Sequence, residues 1–170
     1  MNIEIYPKEK VVLDGVSLCF GANAAEVEAA IGKSEIIRNR HYYFDNELAI
    51  DYDKDQRLEF IEFLGGIDGH LRPKIYGVSV FETSADELTK ILSDKSGEPP
   101  TDNENGHMYC FLNISVGIYR ERTPSDIEEM IAEMKADGVP TEDNADLESE
   151  KRMAQHWATL GIGREGYYLK

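Results

Sequence analysis

The amino-acid sequence predicts an α+β protein made of two helix-plus-antiparallel-meander units in tandem, followed by C-terminal helices. Three observations carry that expectation: an internal repeat, strand-like stretches that alternate apolar and polar residues after each repeated helix, and one strongly amphipathic helix beyond the second unit. At 170 residues the chain can bury a core without disulfides or metals, so 1–170 is expected to form a single compact domain. Its internal units are approximately 1–66 and 73–122, with a helical tail over 123–170.

The repeat opens with Gly15-Val16-Ser17-Leu18, which recurs as Gly77-Val78-Ser79-Val80. After a one-residue gap, Asn23-Ala24-Ala25-Glu26-Val27 aligns with Ser84-Ala85-Asp86-Glu87-Leu88. In each, a side chain able to cap a helix precedes a Glu at the third helical position, so the two satisfy each other's backbone donors. Val27, Ala30 and Ile31 answer Leu88, Ile91 and Leu92, a spacing that puts three side chains on one helix face, and Gly32 ends the first helix. His41-Tyr42-Tyr43-Phe44 then corresponds to His107-Met108-Tyr109-Cys110, with Ile50 and Tyr52 opposite Val116 and Ile118. Leu48, Ile50 and Tyr52 alternate with polar neighbours, Asp53 to Gln56 supply turn residues, and Leu58 to Leu64 returns as an apolar strand, which reads as a hairpin. Gly65-Gly66 to Pro73 joins the units, and Glu98 to Gly106, with Pro99-Pro100, is the longest turn-rich loop.

Beyond the second meander, Thr123-Pro124-Ser125-Asp126 is a helix start with Pro where a missing N–H costs nothing. Ile127, Met130, Ile131 and Met134 form the apolar stripe, read as core packing, while Glu128, Glu129 and Glu133 take the opposite side and Gly138 stops the helix. A weaker helical stretch follows from Asp146 to Trp157, and Trp157, Tyr167 and Tyr168 are expected to pack the tail onto the body.

The succession Gly-Val-Ser-Leu, a short capped helix ending in Ile-Gly, then Tyr-Tyr-Phe-Asp-Asn-Glu-Leu-Ala-Ile-Asp-Tyr-Asp-Lys-Asp and an apolar return strand resembles the helix-plus-meander unit of the β-lactamase-inhibitor-protein-like fold, shared by small outer-membrane-assembly lipoproteins of the SmpA/OmlA type. The resemblance covers residues 11–64 well and 75–120 weakly, and tandem units in an acidic chain also resemble bacterial toxin immunity proteins. It implies binding of other proteins through a sheet and carries over no individual functional residue. A leader and a lipid-acceptor cysteine, which the lipoproteins have, are not read here: Leu18 is bulky where a small residue should precede Cys19, and charged residues fill the upstream segment.

Lys and Arg number 18 against 33 Asp and Glu, a net charge of −15, which argues against nucleic acid or anionic membrane as partner and favours a basic protein. The excess is uneven, with eleven acids against three bases between Glu121 and Lys151. Two cysteines far apart, Cys19 and Cys110, make neither a disulfide framework nor a zinc site, so both are read as small core residues in a reducing, cytoplasmic compartment. No apolar run has the length of a membrane helix.

Asp51-x-Asp53-x-Asp55 with Glu62 fits the oxygen ligands of a calcium loop, but Gln56 stands where that loop needs Gly and the flanks read as strands, so the segment is taken as a solvated turn. Gly161-x-Gly163-x-x-Gly166 matches a dinucleotide fingerprint literally; only four residues follow, too few for the phosphate-binding helix, so the glycines are read as a flexible turn. His41, His70, His107 and His156 lack metal-pair spacing, and His41 and His107 share a repeat position. No nucleophile elbow, phosphate loop or zinc-protease motif is present.

The expectation is therefore a non-catalytic, cytoplasmic protein-binding module with no cofactor and no metal, of the immunity-inhibitor kind, that meets a basic toxin or other basic protein through Glu128, Glu129 and Glu133. The alternative is a small-ligand protein or enzyme that uses a cleft between two sheets, where Tyr43, Tyr52, Tyr109 and Tyr119 would gather.

Overall fold

Two antiparallel hairpins that share a two-residue turn geometry start the two units. A computed structural model of the chain describes residues 1–169. Strands β1 (Ile3–Tyr6), β2 (Lys10–Leu13) and β3 (Val16–Cys19) form a meander. Leu13 pairs with Val16, so Asp14 and Gly15 alone make the turn, both at positive φ as a right-twisting two-residue turn requires. After the linker, β8 (Pro73–Ile75) and β9 (Val78–Ser79) repeat that turn at Tyr76 and Gly77, also at positive φ. These strands make one sheet in the order β3-β2-β1-β8-β9, where β1 and β8 run parallel.

Each hairpin leads into a capped helix. In α1 (Ala24–Ile31) the Asn23 side chain accepts from the Glu26 N–H while Glu26 reaches back to the Asn23 N–H. In α2 (Ala85–Ser96) Ser84 accepts from the Glu87 N–H, without the reciprocal bond. Each helix is followed by a meander. The first is β4 (Glu35–Ile37), β5 (Arg40–Tyr43), β6 (Leu48–Tyr52) and β7 (Leu58–Phe63); the second is β10 (Thr101–Asp102), β11 (Met108–Phe111) and β12 (Val116–Tyr119).

The second meander's fourth strand is displaced far along the chain. Helices α3 (Pro124–Ala136) and α4 (Ala145–Ala154) intervene before β13 (Thr159–Gly163), which pairs with β12 on one side and β7 on the other. The resulting eight-stranded sheet has the order β10-β11-β12-β13-β7-β6-β5-β4, a palindrome of the two meanders about the β13–β7 seam. Register confirms the pseudo-twofold relation: Leu48 and Ile50 pair with Phe63 and Ile61, Val116 and Ile118 pair with Ile162 and Leu160, and across the seam Leu160 meets Phe63 while Ile162 meets Ile61. The 123–170 region is thus not simply a helical tail, and Gly161 and Gly163 lie within a central strand instead of a flexible turn.

Register also corrects the repeat alignment. Tyr43 pairs with Leu48 and Phe111 with Val116, each closing a four-residue connection, so His41 corresponds to Tyr109 and Leu48 to Val116. The alignment read from sequence is two residues out in this region. A two-residue shift keeps every side chain on its face of a strand, so apolar alternation cannot detect it.

Both sheets and the first two helices feed one core. Ile3, Ile5, Val11, Leu18 and Ile75 of the small sheet join Leu48, Ile50, Ile61, Phe63, Val116, Ile118, Leu160 and Ile162 of the large one, with Val27, Leu88 and Leu92 from the helices. Cys110 is buried, but Cys19 is exposed, since it follows Leu18 on a strand whose alternate side faces out. On the opposite face of the large sheet, the terminal turn Tyr167–Leu169 lies over the glycines. The Phe60 and Tyr167 rings stack at 4.6 Å, and the Tyr168 hydroxyl donates to the Gly161 carbonyl at 3.4 Å. A Cβ on Gly163 would lie 2.3 Å from Tyr167 Cβ, an atom too near the backbone to swing away.

Gly163→Ala should therefore lower stability by about 1–3 kcal/mol through overpacking, measured by urea unfolding. Added to Tyr167→Gly it should cost much less, since the obstructing Cβ is gone; strictly additive losses would show that the turn does not press on β13.

Candidate functional site

The acidic segment coincides with the insertion between the third and fourth strands of the second meander. Its chain leaves the sheet after Tyr119 and returns at Ala158, whose N–H donates to the Tyr119 carbonyl at 2.8 Å, so a closed stem supports the α3–α4 hairpin. Thr123 caps α3 by accepting from the Asp126 N–H, Asp126 accepts in return from the Thr123 N–H and hydroxyl, and Pro124 occupies the first turn. Asn144 caps α4 by accepting from the Leu147 N–H. Ion pairs fasten the base, Arg122 to Glu150 at 2.7 Å and Arg152 to Asp68 in the linker at 2.5 Å.

Packing of the hairpin is thinner than its periodicity promises. Of the four-residue stripe only Ile127 is buried, while Met130, Ile131 and Met134 are half-buried. Leu147 and Ala154 of α4 supply the rest of the covered surface, and α3 and α4 pack on each other. Glu128, Glu129 and Glu133 are all exposed on α3. Among the described residues none of the three has an ion-pair or hydrogen-bond partner, and the same holds for Glu121, Glu142, Asp143 and Asp146. A surface of unpaired carboxylates on a short two-helix insertion repels itself, which is tolerable where helix propensity and caps hold it together.

A second polar surface lies on the outer face of the large sheet. Arg40 bonds Glu62 and approaches Asp51 to 3.2 Å without hydrogen-bond alignment. Burial would lower the Arg40 guanidinium, but the bond to Glu62 and the charges of Glu62 and Asp51 outweigh it and leave the group above its ordinary value. Burial holds the Asp51 carboxyl above the usual range, although Arg40 pulls the other way. Tyr167 and Tyr168 overlie this face, and burial pushes both phenols up. The site sequence reasoning missed here is the triad, because its members come from three strands and no local spacing announces them.

The four tyrosines do not gather. Tyr43 and Tyr52 lie at one end of the core face, where His41 meets Tyr52 edge-on at 4.8 Å; burial, with the Tyr43 hydroxyl as the lesser cause, pushes the Tyr52 phenol up. Tyr109 packs against Trp157 at 5.3 Å, and Tyr119 lines the outer face beside Tyr168. The Asp triplet is likewise divided: Asp51 faces Arg40, whereas Asp53 accepts from the Asp55 and Arg57 N–H groups and pairs with Arg164 at 2.8 Å. Gln56 adopts positive φ in that turn. Each histidine has its own local partner: Ser34 for His41, Glu47 for His70, the Arg120 carbonyl for His107 and the Thr83 carbonyl for His156. Among the described residues no group of three or more His, Cys, Asp or Glu side chains is placed to hold a metal ion, and no helix is long and apolar enough to cross a membrane.

Compared with known proteins, the chain matches no family model, no curated protein and no solved structure.

The cap of α3 gives the hairpin a pH dependence. The Thr123 N–H and hydroxyl hold the Asp126 carboxyl below the usual carboxylate range against the effect of burial, with lesser help from the charges of His107 and Arg122. A group whose value is depressed on folding contributes stability above its unfolded value, about 3.9, and that contribution is lost as pH falls through the folded value. Amide exchange of the first turn of α3 should therefore accelerate in acid below about pH 4, and Asp126→Asn should remove that acid step. An unchanged acid profile in Asp126→Asn would show that the cap does not govern the hairpin.

Proposed function

We propose that this chain is a protein-binding module that takes a basic protein partner on the acidic α3–α4 hairpin. The observation that carries the reading is the placement of charge: the long insertion in a pseudo-symmetric scaffold holds eleven acids against three bases between Glu121 and Lys151, and the α3 carboxylates Glu128, Glu129 and Glu133 are exposed with no partner among the described residues. Carboxylates without intramolecular partners leave their field available to a docking cation-rich surface, and such fields act on association more than on dissociation. The scaffold supports this role by presenting the hairpin from a closed stem at the ends of β12 and β13.

The finer reading is an immunity-type inhibitor working in the cytoplasm, whose carboxylates neutralise the basic surface of a toxin domain. It rests on the resemblance of the first helix-plus-meander unit to inhibitor and immunity folds and on the charge of the hairpin. The outer sheet face, with Arg40, Asp51 and Glu62, is the second contact surface in this reading.

The test is affinity capture from the native host, followed by kinetics with the captured protein. Glu128→Gln, Glu129→Gln and Glu133→Gln together keep helix propensity and leave Ile127 untouched. The triple variant should associate more slowly and with a weaker salt dependence, because screening shortens the reach of these charges from about 10 Å at 0.1 M salt to about 3 Å at 1 M. Capture of a protein without a basic surface, or identical association rates at low salt, would contradict the proposal.

A further inference from the structure

A cavity of about 180 Å³ lies between the linker after β7, the end of β12 and the C-terminal turns of α4. Its larger apolar lining residues are Leu64, Ile67, Met153 and Trp157, and Arg120 lines it with them. Trp157 is 1% exposed and is the chain's single tryptophan.

Arg120 is the unusual member. Its residue is 8% exposed, yet no carboxylate among the described residues forms an ion pair with it. Nε donates to the Gly106 carbonyl at 3.1 Å, Nη1 donates to the Ala154 carbonyl at 3.1 Å, and the guanidinium carbon sits 4.7 Å from the centre of the Trp157 ring. These contacts use two of the five N–H donors and leave Nη2 with no protein acceptor among the described residues. Burial lowers the guanidinium from its ordinary value without approaching neutrality. Nη2 is not sealed from solvent, so it remains accessible as a donor to an anion.

We infer that this cavity binds a small monocarboxylate whose apolar body is about the size of a five- or six-membered ring. The carboxylate sits on the free donors of Arg120, and the body packs against Trp157, Met153, Leu64 and Ile67. Volume supports the size, since an apolar cavity of roughly 150 Å³ is known to hold benzene. Charge favours the monoanion: Asp68, Glu121 and Glu150 also line the space, Arg152 and Arg122 neutralise two of them and Arg120 balances the third, so a dianion such as phosphate brings a second uncompensated charge. The apolar walls likewise leave the remaining phosphate oxygens unsatisfied. This site stands apart from the acidic face of α3 and does not depend on the protein-binding reading.

Trp157 fluorescence reports directly on the cavity. Sodium cyclopentanecarboxylate should change it saturably, while cyclopentanecarboxamide, the neutral isostere, and inorganic phosphate should each bind at least about tenfold more weakly. Arg120→Met should abolish the response. Because Arg120 also holds two carbonyls, that variant can fail to fold, so Met153→Glu provides the independent arm: Met153 is 40% exposed at the rim, and an acid there should weaken carboxylate binding by about tenfold while circular dichroism stays unchanged. No saturable response in the wild type, equal binding of the carboxamide or phosphate, or unaltered affinity in a folded Met153→Glu protein would overturn the inference.

Discussion

The antiparallel pairing of β7 with β13 is the constraint on which the rest depends. Four residue pairs, from Leu160 with Phe63 to Gly163 with Phe60, join meanders that would otherwise end in open edges. On the inner side the seam contributes Ile61, Phe63, Leu160 and Ile162 to the shared core, so one core serves both units. On the outer side it sets Glu62 opposite Gly161, and this asymmetry within a symmetric frame matters. The glycine half makes room for Phe60, Tyr167 and Tyr168, while the Glu62 half holds Arg40.

The seam also explains how an acidic hairpin is accommodated. Chain that leaves β12 and must return as its neighbour β13 can accept a long excursion at modest entropic cost, because closure is secured by the strand pair and not by the insert. The excursion then needs only enough packing to hold its helices, which Ile127, Leu147 and Ala154 supply, and its surface is released from the demands of the core. The high charge of α3 belongs to that freedom. At the base of the same excursion the return path encloses Arg120 between the α4 terminus and Trp157, so a cavity arises where insert meets scaffold.

Much of the fold is legible in the sequence because the repeat writes it twice. The Gly-Val-Ser turns, the helix caps at Asn23 and Ser84 and the alternation of Leu48, Ile50 and Tyr52 are local features with local causes. The two-residue misalignment of the meanders was invisible for the opposite reason: a strand pattern has period two, and only the pairs Tyr43 with Leu48 and Phe111 with Val116 fix it. Strand β13 was hidden by its composition, Thr-Leu-Gly-Ile-Gly, since glycine weakens a strand in isolation and is favoured here only because aromatic rings cross over it. The candidate acidic surface could be read from charge counts, whereas the Arg40 triad and the Arg120 cavity could not. Both are assembled from residues far apart in the chain, and a lone arginine carries no signal of its burial or of its missing counter-ion.

Amide hydrogen exchange across the large sheet tests this account most directly, because it measures whether the seam makes one cooperative body of the two units. The account predicts that the hydrogen-bonded amides of β13 exchange with the same free energy as those of β6 and β7, equal to global unfolding, while α3 and α4 open at lower cost. If the β13 amides exchanged like a loop while β7 remained protected, or if the two meanders opened in separate steps, the seam would not be the element that holds the protein together.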